Sequence, residues 1–140
     1  MTQPIATHDA RTADAIWRTL RIVFGIVPIV AGLDKFTNIL VDWQKYLAPP
    51  FAHIVPAHAF MLVVGIIEIV AGIGVLLMPR IFGYVVAIWL WLIIINLFMA
   101  KGFYDIALRD FGLSLGALAL ARLAEVYHHG HDSSTMPRTV

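Results

Sequence analysis

Apolar residues fall in four long blocks, at 16–33, 57–78, 81–100 and 106–127, separated by polar or proline-bearing connections. Each is close to the roughly 20 residues that an apolar helix needs to cross a bilayer. The pattern therefore predicts four membrane-spanning helices. Pro28 lies inside the first, where it removes one backbone hydrogen bond and kinks the helix, a change tolerated when neighbouring helices satisfy the freed carbonyl. Pro79 and Arg80 end the second block and the third begins at once, so these two helices are expected to form an antiparallel hairpin.

The long connection, residues 34–56, is not simply polar. Phe36, Ile39, Leu40, Trp43, Tyr46 and Leu47 recur at spacings of three and four ahead of Pro49-Pro50. This periodicity predicts an amphipathic helix. Trp43 and Tyr46 suit a membrane–water interface, where the helix is expected to lie as a lid over one end of the bundle.

Composition agrees with the pattern. Of 140 residues, 60% are hydrophobic and 14% charged, and mean hydropathy is +0.82. Soluble domains are about a quarter charged, so the chain reads as a lipid-bilayer protein, all-α, with a single membrane domain. That domain is expected at 16–127, after a polar N-terminal leader at 1–15 and before a flexible polar tail at 128–140. A cleaved signal is the rival reading of the first block, but the long acidic leader and the three blocks that follow favour a retained span. Without cysteine the chain supplies no thiolate, disulfide or Cys-ligated cluster. A net charge of +1 and the lack of any recognition motif argue against nucleic acid. Arg11, Arg18, Arg21, Arg80, Arg122 and Arg138 fall on one side of the bilayer, against Lys35, Lys45, Lys101 and Arg109 on the other. This bias favours cytoplasmic termini.

Glu68 is the lone charge in the second block and sits near its midpoint. A carboxyl group at that depth costs several kcal/mol on insertion scales and marks a functional site by default. On the second helix His58, Met61, Gly65, Glu68 and Gly72 share a face; on the first, Arg21, Gly25, Pro28, Gly32 and Lys35 do; on the fourth, Arg109, Gly112, Gly116 and Ala119 do. Small residues let membrane helices approach closely, so these stripes are packing faces. Their coincidence with charge suggests that they also enclose a polar site. Depth makes Asn96, Arg109 and Ser114 the candidate partners of Glu68, with the long Arg109 side chain reaching inward. Unpaired in a dry site Glu68 would be protonated; paired with Arg109 it would be charged. Two readings stay open: a structural glutamate bonded between helices, or part of a ligand or proton site.

Asp34-Lys35 closes the first helix, and Arg109-Asp110 opens the fourth, where Asp110 also complements the helix dipole. His53 and His58 flank the outer entrance and could relay protons or bond a quinone carbonyl. Trp89 and Trp91 read as packing residues. The tail sequence His128-His129-Gly130-His131-Asp132 reads as a solvated tail rather than a metal site, and no histidine lies deep enough in a span to ligate haem. Residues 24–33 (FGIVPIVAGL) and 64–73 (VGIIEIVAGI) agree at six of ten positions, with Pro28 opposite Glu68. Either composition or an inverted repeat explains this echo.

AGLDKF at 31–36, the proline-bearing loop, GIIEIVAGIGVLL at 65–77 and RDFGLSLGALALA at 109–121 occur in this order. Together they resemble the DoxX family of small four-helix bacterial membrane proteins, over about residues 20–123. The resemblance implies an inner-membrane four-helix bundle, and the family includes thiosulfate:quinone oxidoreductase subunits. It makes Asp34, Lys35, Glu68, Arg109 and Asp110 the first candidates for a shared polar site, with Glu68, Arg109 and Asp110 catalytic. Asp34, Lys35, His58, Asn96 and Ser114 would line the binding part of that site, and quinone is the expected cofactor. The expected function is a small membrane subunit of a quinone-linked oxidoreductase, acting with a redox partner and open to homo-oligomerisation. The alternatives are a non-enzymatic anchor or assembly subunit, or a small transporter.

Overall fold

The computed structural model describes the backbone of residues 3–132 and the side chains of 9–128. The described chain is all helical. Helix α1 runs Gln3–Thr37, α2 Pro49–Ala52, α3 Ala57–Leu77, α4 Pro79–Ala100 and α5 Tyr104–Asp132. Of these, α1 (over Asp9–Thr37), α3 and α4 are long and apolar enough to cross a membrane. The fourth block also forms a long helix, α5, but the charge-free stretch between Asp110 and Arg122 is short. Charges at both ends therefore lower its apolar character.

Met78 alone separates α3 from α4, and the hairpin forms as the sequence predicts. Helix α1 continues through Pro28 and begins well before the predicted start at residue 16, inside the polar leader. It packs chiefly on α3, and α4 packs chiefly on α5; lighter contacts join α3 to α4 and α1 to α5.

The α1–α3 contact is a backbone contact. A Cβ added to Gly65 would lie 2.7 Å from the Gly32 carbonyl oxygen, and one added to Gly72 would lie 2.5 Å from that of Gly25. In both helices the glycines stand seven residues apart, and the antiparallel register sets one pair against the other. Whatever its origin, the internal echo has this packing consequence. Phe24, Ala71, Val75, Val86, Ala117 and Leu120 then fill the middle of the molecule.

The connection after α1 departs from expectation. No single amphipathic helix spans 36–47. Phe36 belongs to α1, residues 38–42 are irregular, and Trp43–Tyr46 form one 3-10 turn before α2. Asn38 sits at φ 49°, a left-handed conformation that asparagine tolerates and that ends α1. The cause of the departure is Asp34. Its carboxylate accepts hydrogen bonds from the backbone N–H groups of Ile39 (3.0 Å), Leu40 (3.0 Å) and Val41 (3.3 Å). A side chain that takes three successive loop N–H groups competes directly with helix continuation.

Candidate functional site

A cavity of about 550 Å³ lies among the long helices, with α1, α3, α4, α5 and the 38–52 connection all contributing to its wall. Most of the wall is aliphatic or aromatic. Its polar exceptions are Lys35, Glu68, Asn96, Arg109 and Asp110, together with the polar edges of Trp43, Tyr46 and Trp89.

Glu68 pairs with Lys35. The Lys35 Nζ donates to Glu68 Oε2 at 2.6 Å, with the lysine side chain 3% exposed. The predicted pairing with Arg109 is not formed, and the direction in which helical side chains lean explains why. Every side chain on a helix leans toward that helix's N-terminus. Lys35 lies near the C-terminal end of α1 and leans down into the molecule, whereas Glu68 on the antiparallel α3 leans back up toward it. Helix α5 runs parallel to α3, so Arg109, five residues into it, leans outward. Its guanidinium binds the neighbouring Asp110 carboxylate at 2.9 Å and stays 63% exposed, while Asp110 is buried.

The other face of the Lys35 ammonium is covered by Trp43, whose ring centroid lies 3.6 Å from Nζ. Trp43 is fixed in turn by its indole N–H, which donates to Asp34 Oδ2 at 2.7 Å. On α4, Trp89 Nε1 is buried without a hydrogen-bond partner. It lies within reach of the Glu68 carboxylate, as does the charge of Asp110.

The remaining predicted site residues divide by role. Asp34 is buried but does not line the cavity; it organises the loop. Asn96 lines the cavity and clamps the connection. Its Nδ2 donates to the Tyr46 carbonyl at 2.7 Å, and its Oδ1 accepts from the Ala48 N–H at 3.0 Å. Ser114 is buried but donates to the Phe111 carbonyl at 2.7 Å, outside the cavity lining. His53 and His58 are exposed and outside it. Arg21, at the far end of the α1 stripe, binds the Leu76 carbonyl through both Nε and Nη2 and so caps α3. Trp91 packs edge-on against Phe111. In the tail, α5 continues helical to Asp132; the side chains of His129 and His131 and all of residues 133–140 lie outside the described residues.

A family model described as DoxX matches residues 16–101. The chain belongs to the DoxX family. The DoxX match covers α1 from Ile16, the connection, α3 and α4, and so contains Asp34, Lys35, Trp43, Glu68, Trp89 and Asn96. Arg109, Asp110 and the rest of the fourth motif lie beyond it. No curated protein and no solved structure matches the chain. Family and apolar helices together make this a membrane protein that lives in a lipid bilayer.

Within this DoxX site the formal charges are paired. Lys35 is matched by Glu68 and Arg109 by Asp110, so the formal charges on the cavity wall cancel. A charged guest would lose hydration on entry and meet no surplus of opposite charge. The arrangement suits a neutral guest with hydrogen-bonding groups at one end.

The sequence singled out Lys35 without pairing it to Glu68, and read Trp43 and Trp89 only as an interfacial and a packing residue. Antiparallel helices whose polar residues lean toward each other are a signal that could have found the Lys35–Glu68 pair. Nothing in the sequence marks the Trp43 ring for the lysine, because that contact depends on the loop path that Asp34 dictates.

Proposed function

We propose that this DoxX protein is the quinone-binding membrane subunit of an oxidoreductase complex. The observation that carries the reading is the Lys35–Glu68 pair, buried in the wall of an otherwise apolar cavity of about 550 Å³. That volume falls within the roughly 300–1,000 Å³ of typical small-molecule sites. In this reading the four long helices, α5 included, form a four-span bundle in a bacterial inner membrane with both termini cytoplasmic. The 38–52 connection lies at the extracytoplasmic interface, and the leader and tail flank the membrane domain.

A quinone needs apolar walls for its ring and chain, and donors for its carbonyl oxygens. Its reduction to quinol takes two electrons and two protons. In this reading Lys35 and Glu68 bond a carbonyl and pass a proton, and Trp89 Nε1 is a further donor within reach of Glu68. Arg109 and Asp110, on α5, line the same cavity. The sequence carries no cofactor motif, so this reading calls for a partner protein that supplies the electrons.

The rival reading, a non-enzymatic anchor that grips partners through glycine faces, loses most of its surface. Gly25, Gly32, Gly65 and Gly72 are occupied between α1 and α3. Purification of the native complex in mild detergent, with mass spectrometry and an absorbance spectrum, tests the proposal. A flavin- or haem-bearing partner and a quinone-reduction rate that falls in Glu68→Gln are expected. A colourless homo-oligomer, or an unchanged rate per assembled complex, would overturn it.

A further inference from the structure

The geometry points to Asp34 and Trp43 as positioning residues that hold the Lys35 ammonium against Glu68 and keep it from water. This deepens the proposed reading by naming what controls the polar end of that cavity, and it rests on that reading only for what the pair serves.

The chain of contacts is continuous. Asp34 gathers the N–H groups of Ile39, Leu40 and Val41 on one side and the Trp43 indole N–H on the other. With all those bonds on one carboxylate, the loop has a fixed path and the indole a fixed direction. The ring then presents its face to Lys35 Nζ at 3.6 Å, opposite the Glu68 oxygen at 2.6 Å. An ammonium held between a π face and a carboxylate is attracted by both. Farther along, Asn96 ties Tyr46 and Ala48 to α4, and Tyr46 meets Phe103 edge-on at 4.9 Å. The connection is thus pinned to α1 through Asp34 and to α4 through Asn96, with Trp43 between the two pins. Within the connection, Leu47 and Ala48 are buried. Among the described lysines Lys35 is buried, whereas Lys45 and Lys101 are exposed.

Lysine acetylation by a water-soluble, amine-reactive ester measures this directly. The full chain is held in lipid nanodiscs, and mass spectrometry reads the modification at each lysine. Lys45 and Lys101 are internal references for exposure, and a melting curve for each variant shows that it is folded. In the unsubstituted protein Lys35 is expected to react far more slowly than either reference. Trp43→Ala is expected to raise its rate by about tenfold, the scale of losing a desolvated cation–π contact, with Lys45 and Lys101 unchanged. Asp34→Asn is expected to raise it as well, because the indole and the loop lose a charged acceptor. Trp43→Phe, which keeps a ring over the ammonium, should restore most of the protection. Should Trp43→Ala fail to fold, Asp34→Asn decides alone. Equal reactivity of Lys35 and Lys45 in the unsubstituted protein, or full protection of Lys35 in every folded variant, would overturn the inference. The assay contains no quinone, so its failure is separate from failure of the quinone reading.

Discussion

Gly65 sits directly against Lys35: a Cβ on Gly65 would lie 3.2 Å from the Lys35 Cβ, as well as 2.7 Å from the Gly32 carbonyl oxygen. The close approach of α1 and α3 and the position of the buried lysine are therefore one arrangement. The short backbone separation at Gly32 and Gly65 is what allows the Lys35 side chain to run down the interface to Glu68.

Gly65→Ala should accordingly disturb both packing and site. Its methyl group meets backbone, which cannot move aside without separating the helices, and overpacking of this kind costs about 1–3 kcal/mol. Gly112→Ala is the control, since nothing lies within 4 Å of an added Cβ there. Thermal melting in detergent should show a clear loss for the first variant and a neutral or slightly raised midpoint for the second, because alanine is the better helix former.

Breaking the buried ion pair from one side should cost more than removing both partners. Lys35→Met leaves the Glu68 carboxylate in an apolar wall, and Glu68→Leu leaves an ammonium there. Each is expected to destabilise by about 3–5 kcal/mol, the range for an uncompensated buried charge. The double variant should recover much of that loss, because two neutral side chains of similar size need no partner. Denaturation of the four proteins in a common detergent measures the coupling. Additive losses would show that the pair contributes nothing to stability.

Much of the fold was legible because bilayer physics is simple. Four apolar blocks became four long helices, and the short connection expected at Pro79-Arg80 formed a hairpin, with the break one residue earlier, at Met78, and Pro79 opening α4. The glycine stripes of α1 and α3 were legible as contact faces for the same reason, but the α5 stripe was misread: Gly112 and Ala119 are exposed, and the buried face of α5 runs through Asp110, Ser114, Ala117 and Ala121 instead. The polar site was legible in membership and not in pairing. Lys35, Glu68, Asn96, Arg109 and Asp110 were all singled out, and all line one cavity. Depth along the helices suggested Arg109 for Glu68, but lean direction decided for Lys35. The loop was misread because hydrophobic periodicity over 36–47 does not register one aspartate that captures the next three N–H groups of the loop.

The clamp at Asn96 should be local. Asn96→Leu leaves the Tyr46 carbonyl and the Ala48 N–H without the partners they now have. Leaving buried polar groups unsatisfied costs about 1–3 kcal/mol each. Hydrogen exchange is expected to quicken at Ala48 and its loop neighbours while α3 and the middle of α4 keep their protection. Uniform loss of protection would mean that the connection and the helices open together.

Infrared difference spectroscopy separates the two candidate partners of Glu68. The Glu68 carboxyl signal is identified as the band lost in Glu68→Gln. Arg109→Gln removes a guanidinium that leans outward and binds Asp110, so it should leave that band in place while altering the Asp110 signal. Lys35→Met removes the donor at 2.6 Å and should shift the Glu68 band. Trp89→Phe should perturb it less, because Trp89 Nε1 lies within reach of the carboxylate without a well-formed bond. The order expected is therefore Lys35 over Trp89 over Arg109. If Arg109→Gln shifted the band as far as Lys35→Met, the guanidinium would have to reach the cavity centre in the membrane. The helix-lean argument for the pairing would then fail, and with it the assignment of Lys35 as the partner of Glu68.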